Sequence, residues 1–219
     1  MIGEIKKIAA DILTKSNAVL LPEDCYTNMK YPKLLPMMRF RVDQYNVSGF
    51  GHVMMMHTTT KMGMELITMS FMPSECVDLP YLLLDAMSMK KKRCVFVEYY
   101  GCKMEELTDD ALKDVYDDYR DLPDYEEKDN WYIKERMPYS LIKTGEEDEL
   151  VKMAADSVSA YLGSVRNTKF MPEYKDRLKA FRERMITDGN PSSKTLNMLL
   201  KEDGARIFME NVIMPLKER

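Results

Sequence analysis

Between Met37 and Tyr100 the chain strings together segments of strand character joined by short connections. "MMRFRVDQY" (37–45) alternates apolar and polar side chains directly after Pro36. It is followed by "GHVMMMHTTT" (51–60), by "MELITMSFM" (64–72) beyond a turn at Gly63, and by "YLLLDAM" (81–87). "RCVFVEYY" (93–100) comes last, across a Lys-rich tip. Short β-rich segments with tight connections pair with their neighbours in sequence, which makes an antiparallel meander. The segments at 64–72 and 81–87 are nearly continuous in apolar residues, so helices should cover the sheet on both faces.

Helical patterns flank this run. Ile5, Ile8, Ala9, Ile12 and Leu13 recur at helical spacing and predict an amphipathic helix over 3–20. Beyond Gly101 the pattern is helical again, over about 104–217. Thr108 is placed to cap one helix, and Thr144 with Glu147 forms a T-x-x-E capping box ahead of the next. Further helices are expected over 173–187, from Ser192 or Ser193 onward, and after a break at Gly204. Residues 121–138 lack a clear period and read as a surface excursion, and "YSLIKT" (139–144) reads as one more strand. Segregated strands and helices define an α+β chain. The expected architecture is a three-layer α-β-α sandwich around an antiparallel sheet, with 1–219 forming a single domain.

Composition narrows the function. The net charge is −4, which argues against a nucleic-acid binder. No apolar stretch reaches the ~20 residues that span a bilayer, and the charged N-terminal segment does not read as a secretory signal. A cytoplasmic protein without membrane partners is expected. Cys25, Cys76, Cys94 and Cys102 are irregularly spaced and the histidines are His52 and His57, a set unsuited to zinc. Buried free thiols and no metal are expected. The 21 methionines fit either an ordinary core or a pocket moulded around a flat ligand.

Asp85 interrupts "PYLLLDAM" (80–87). On an extended strand Tyr81, Leu83, Asp85 and Met87 share one face. A carboxyl among such neighbours is desolvated and its pKa rises, as a general acid requires. A structural aspartate satisfied by backbone N–H groups or a cation is the alternative reading. The basic cluster Lys90-Lys91-Lys92-Arg93 has three readings: attraction of an acidic protein, contact with ligand carboxylates, or a solvated hairpin tip.

The stretch from Gly51 to Tyr100 resembles the ferredoxin-dependent bilin reductases. "ITMSFMP" (67–73) ends in Pro, Leu79-Pro80 opens the strand bearing Asp85, and "RCVFVEYY" follows across a hairpin. "NPSSKTLNMLLKEDGARIFMENVIMPL" (190–216) is similar to the family's closing segment, with its Asn-Asp-Lys-Thr motif. "YSLIKT" resembles the strand presenting a basic residue to the pigment.

The resemblance implies an open tetrapyrrole cleft between the sheet and the C-terminal helices. It implies no tightly bound cofactor, with electrons from reduced ferredoxin or flavodoxin passing directly to the pigment. Asp85 matches the family's proton-donating aspartate, with Thr68 and His57 as further catalytic candidates. Lys143 and Lys194 match its propionate partners. Met56 stands where some members carry Glu, Thr68 where they carry His, and Ser193 in place of the Asp of Asn-Asp-Lys-Thr. His57 faces away from Asp85 unless the register slips by one. The function implied is reduction of a linear tetrapyrrole. The alternative is a non-catalytic tetrapyrrole- or haem-binding protein of the same fold. A third is an interaction protein using the acidic 104–129 region.

Overall fold

The computed structural model describes residues 1–75, 77–101, 110–165 and 174–216, apart from the side chain of Tyr174. The meander pairs in chain order. Strands β3 (Met38–Val47), β4 (Gly51–Thr60), β5 (Met64–Pro73), β6 (Tyr81–Met89) and β7 (Lys92–Tyr100) lie side by side, each antiparallel to the next. β8 (Leu141–Thr144) closes the far edge against β7. β1 (Ala18–Leu20) and β2 (Asn28–Tyr31) share the near edge along β3, completing eight strands.

Period two sends alternate side chains into two separate cores. Ile67, Met69, Leu82, Leu84, Val95 and Val97 pack on one face with α1 (Ile2–Lys15), α2 (Asp110–Tyr119) and α3 (Glu147–Ser164). Met54, Met72, Tyr81, Leu83 and Tyr100 pack on the other with α4 (Tyr174–Thr187) and α5 (Ser193–Phe208). This is the expected three-layer α+β sandwich. The run Met54-Met55-Met56 feeds both cores, each side chain at most 2% exposed. Among the described residues no helix is long and apolar enough to cross a membrane.

Four local expectations are corrected. The first helix stops at Lys15 because Asn17 takes a left-handed φ of 57°. Residues 18–20 then satisfy their backbone groups on the edge of β3. The Thr144–Glu147 capping box does not form: Thr144 Oγ1 donates to Pro123 O, and Glu147 pairs with the N-terminal amine of α1. Such a charge pair between two helices of one layer outcompetes a local cap. The C-terminal helix breaks at Lys201, with φ 60° and ψ 175°, rather than at Gly204, and runs into a π-helical turn at Met209–Ile213. Cys25 is an exposed free thiol, because it sits in the turn between the two short edge strands, while Cys94 is buried. Cys76, Cys102 and Thr108 lie outside the described residues.

Candidate functional site

Sheet register puts Met56, Thr68, Asp85 and Phe96 in one row across β4, β5, β6 and β7. Their shared face is left partly open where α5 begins. A cleft of about 280 Å³ lies there, floored by this row and walled by Ser192, Thr195 and Leu196 on one side. Tyr125, Glu127 and Tyr132, from the segment linking α2 to β8, also line it. Met38, Met64 and Met87 join Met56 and Phe96 in an apolar lining. Thioether side chains of this kind adapt to the outline of a flat ligand.

Asp85 is the polar centre of that floor. Thr68 Oγ1 donates to its Oδ1. Burial, reinforced by the nearby charge of Glu98, pushes the carboxyl up to about 7, against the smaller opposing pull of the Thr68 hydroxyl. Asp85 therefore exchanges its proton near neutral pH.

A second carboxyl shares the cleft. Glu98, on β7, is 3% exposed and accepts a 2.8 Å bond from the Tyr100 hydroxyl. Arg136 also donates to Glu98, and its guanidinium grips Glu127 with bonds of 2.8 and 2.9 Å. Burial pushes the Glu98 carboxyl up from the ordinary glutamate value, while Arg136 and Tyr100 oppose it.

Of the residues singled out in the sequence, Asp85, Thr68 and Met56 meet in the cleft. The others do not. His57 sits in the row of Arg41 and Ile67, on the α1 face of the sheet. The register holds without a slip, so period two turns this imidazole away, and burial followed by the charge of Lys6 holds its pKa down. Lys143 pairs with Val95, whose side chain belongs to the α1–α3 core, so it too faces away from Asp85. Its Nζ donates to Arg120 O at 2.6 Å, Leu122 O at 3.0 Å and Asp124 Oδ1 at 2.6 Å. Lys143 thus ties down the chain leaving α2. Ser193 Oγ accepts from Asn190 N at 2.7 Å as part of the α5 entry turn. Lys194 is exposed, and neither residue lines the cleft. Their neighbours Ser192 and Thr195 do, because helical period rotates those side chains toward the sheet.

Sequence reading missed Glu98, Arg136, Glu127 and Tyr132. Glu98 carried a usable signal, since it interrupts "CVFVEYY" as Asp85 interrupts "YLLLDAM". The other three come from an aperiodic segment with no comparable mark.

Two expected outcomes follow from these placements. Lys143→Met should lower stability by roughly 1–3 kcal/mol, because the buried ammonium is lost and two part-buried carbonyls lose their charged donor. Ligand affinity of the cleft should stay within twofold, as urea unfolding and ligand titration would show. Asp85→Asn should raise stability at pH 8. A carboxyl whose folded pKa exceeds its unfolded value binds more protons folded than unfolded between about 4 and 7. Stability therefore falls as pH rises through that window and stays reduced above it. Asparagine removes this cost, a gain of roughly 1–4 kcal/mol at pH 8 that vanishes below pH ~4. Parallel urea curves for the two proteins at both pH values would reveal it.

No family model and no curated protein matches the chain by sequence. Solved structures do match by shape. Phytochromobilin synthase from tomato, in complex with biliverdin, superposes with a TM-score of 0.75 at 14% identity, covering 95% of this chain and 82% of that one. PcyX superposes with a TM-score of 0.63 at 13% identity, covering 100% of both chains. At such sequence distances the likeness establishes architecture alone, and the chain has the fold of phytochromobilin synthase and PcyX.

Proposed function

We propose that the chain binds an open-chain tetrapyrrole in the cleft above Asp85 and reduces it with electrons from ferredoxin or flavodoxin. The observation that carries this reading is a carboxyl at the floor of an apolar cleft, held by a neutral hydroxyl and pushed up to about 7 by burial. Support comes from the fold, which in phytochromobilin synthase is seen with biliverdin.

Saturating one carbon–carbon double bond takes two electrons and two protons. A one-electron donor acts twice, and the electrons enter the pigment directly. Asp85 gives one proton to a pigment carbon, and the other comes from solvent. The resulting carboxylate keeps the Thr68 hydroxyl as donor, and reprotonation from solvent resets the site. Methionine and aromatic side chains hold the pigment plane and exclude water from the reduced intermediate.

The test is anaerobic turnover of biliverdin with a reduced ferredoxin system, followed by absorbance. A product spectrum should develop, with a rate that falls as pH rises through about 7 as Asp85 loses its proton. Absence of any spectral change across several linear tetrapyrroles defeats the proposal.

A second reading has its own support. Met56 and Thr68 line the cleft beside Asp85 where the resemblance would place a Glu and a His, and Ser193 stands outside it, so the proton relay around Asp85 is reduced to one hydroxyl. That suits a non-catalytic tetrapyrrole- or haem-binding protein. Tight pigment binding without reduction, unchanged in Asp85→Asn, selects it.

A further inference from the structure

The cleft holds more acid than one proton donor requires. Asp85 stands on β6 opposite Phe96, and Glu98 lies one same-face step further along β7, opposite Leu83. Same-face diagonal neighbours in an antiparallel pair are separated by ~7–8 Å. That spacing suits two contacts on one flat ligand. The two groups differ in how they are held. Asp85 has a neutral hydroxyl as its side-chain partner. Glu98 is gripped from behind, with Tyr100 and Arg136 both donating to Oε1. Among the described residues no side chain donates to Oε2, and Glu98 lines the cleft.

Arg136 cannot give up its proton and has no acceptor. Convergence of guanidinium and phenol donors on one oxygen is the environment of a carboxylate. The other ionisable groups around Glu98 are Glu127, Tyr132 and Asp85. Arg136 is shared with Glu127, so the floor retains negative charge with no spare cation among the described lining residues.

We infer that Glu98 is a second ligand-contacting carboxylate, whose Oε2 accepts from pyrrole or lactam N–H groups beside Asp85. This rests on the tetrapyrrole reading above and adds an orientation to it. The N–H edge of the ligand faces β6 and β7, and its carboxylates point out of the cleft toward solvent. It also gives the floor a division of labour. Glu98, clamped by Arg136 and Tyr100, holds the ligand, and its charge favours the proton on Asp85.

Biliverdin titration by absorbance, at pH 7.5, tests the contact in three proteins. Glu98→Gln keeps the shape and removes the charge, and should raise Kd at least tenfold. Glu98→Asp keeps the charge beside Arg136 but draws the oxygens back by one methylene, and should also raise Kd at least tenfold. The infrared carboxyl signal of Asp85, identified by its loss in Asp85→Asn, should titrate at lower pH in Glu98→Gln than in wild type. In Glu98→Asp it should stay near the wild-type midpoint. A merely structural Glu98 would not split the variants this way. Biliverdin bound within twofold of wild type by whichever variants fold overturns the contact alone. Failure of the wild type to take up biliverdin overturns the tetrapyrrole reading and this contact with it.

Discussion

Asp85→Asn should slow the proposed bilin reduction by about 10²–10⁴-fold, the usual loss on removing a positioned general acid, while pigment affinity changes by no more than a few-fold. Asparagine keeps the volume of aspartate and an oxygen for the Thr68 hydroxyl, so the floor of the cleft survives. It has no proton to release. The electron donor would still reduce the pigment, and a one-electron-reduced species should accumulate because the proton that follows is withheld. Single-turnover absorbance under anaerobic conditions distinguishes that state from a product that forms at the normal rate. A variant rate within threefold of wild type removes Asp85 from the chemistry. Thr68→Val should be milder. It removes a donor that lowers the Asp85 pKa, and so leaves the carboxyl more firmly protonated in the resting protein.

The second large effect concerns stability. Arg136→Met should destabilise the fold by about 3–5 kcal/mol at pH 8, because a buried carboxylate loses its counter-ion. The side chains of Arg136 and Glu98 are 12% and 3% exposed, so water cannot take the guanidinium's place. Glu127, on the outer side of Arg136, is 24% exposed and loses less. The pH dependence has a definite sign. Without Arg136 the causes that remain for Glu98 are burial and the charge of Glu127, which raise its pKa, against the Tyr100 hydroxyl alone. A carboxyl with a raised folded pKa costs stability once pH exceeds its unfolded value, ~4.3 for Glu, and costs nothing below it. The deficit should therefore shrink as pH falls toward ~4. Glu98→Gln on top of Arg136→Met should recover part of the loss, since the group left unpaired is then neutral. Urea unfolding of the single and double variants closes the cycle. A deficit below about 1 kcal/mol at pH 8 would mean that the pair contributes little net.

The parts of the site that were legible in the sequence share one property: they follow from period two along a single strand. Tyr81, Leu83, Asp85 and Met87 share a face whatever the strand pairs with. The same parity set Met56 against His57, and an unslipped register kept it. Thr68 reached Asp85 because β4, β5 and β6 are joined by short connections that leave little choice of pairing. Lys143 shows where this reasoning stops. Strand β8 returns after a long excursion, and nothing local decides which of its faces meets the cleft. Its pairing with Val95 sent the ammonium to the other side of the sheet. The Thr144–Glu147 capping box failed for the same reason, its glutamate being taken by an amine 146 residues away in sequence.

The amino-acid sequence by itself determined the meander, the two covered faces of the sheet and an acid set among apolar side chains on one of them. Backbone period and turn chemistry act within a few residues, and they are written where they act. The tertiary structure alone decided which groups surround that acid. Glu98 and Arg136 meet across 38 residues. Ser192 and Thr195, rather than Lys194, face the sheet because packing fixes the rotation of α5. Such choices depend on how separate elements fit together in three dimensions, where hydrogen bonding, charge pairing and close packing must be satisfied at once.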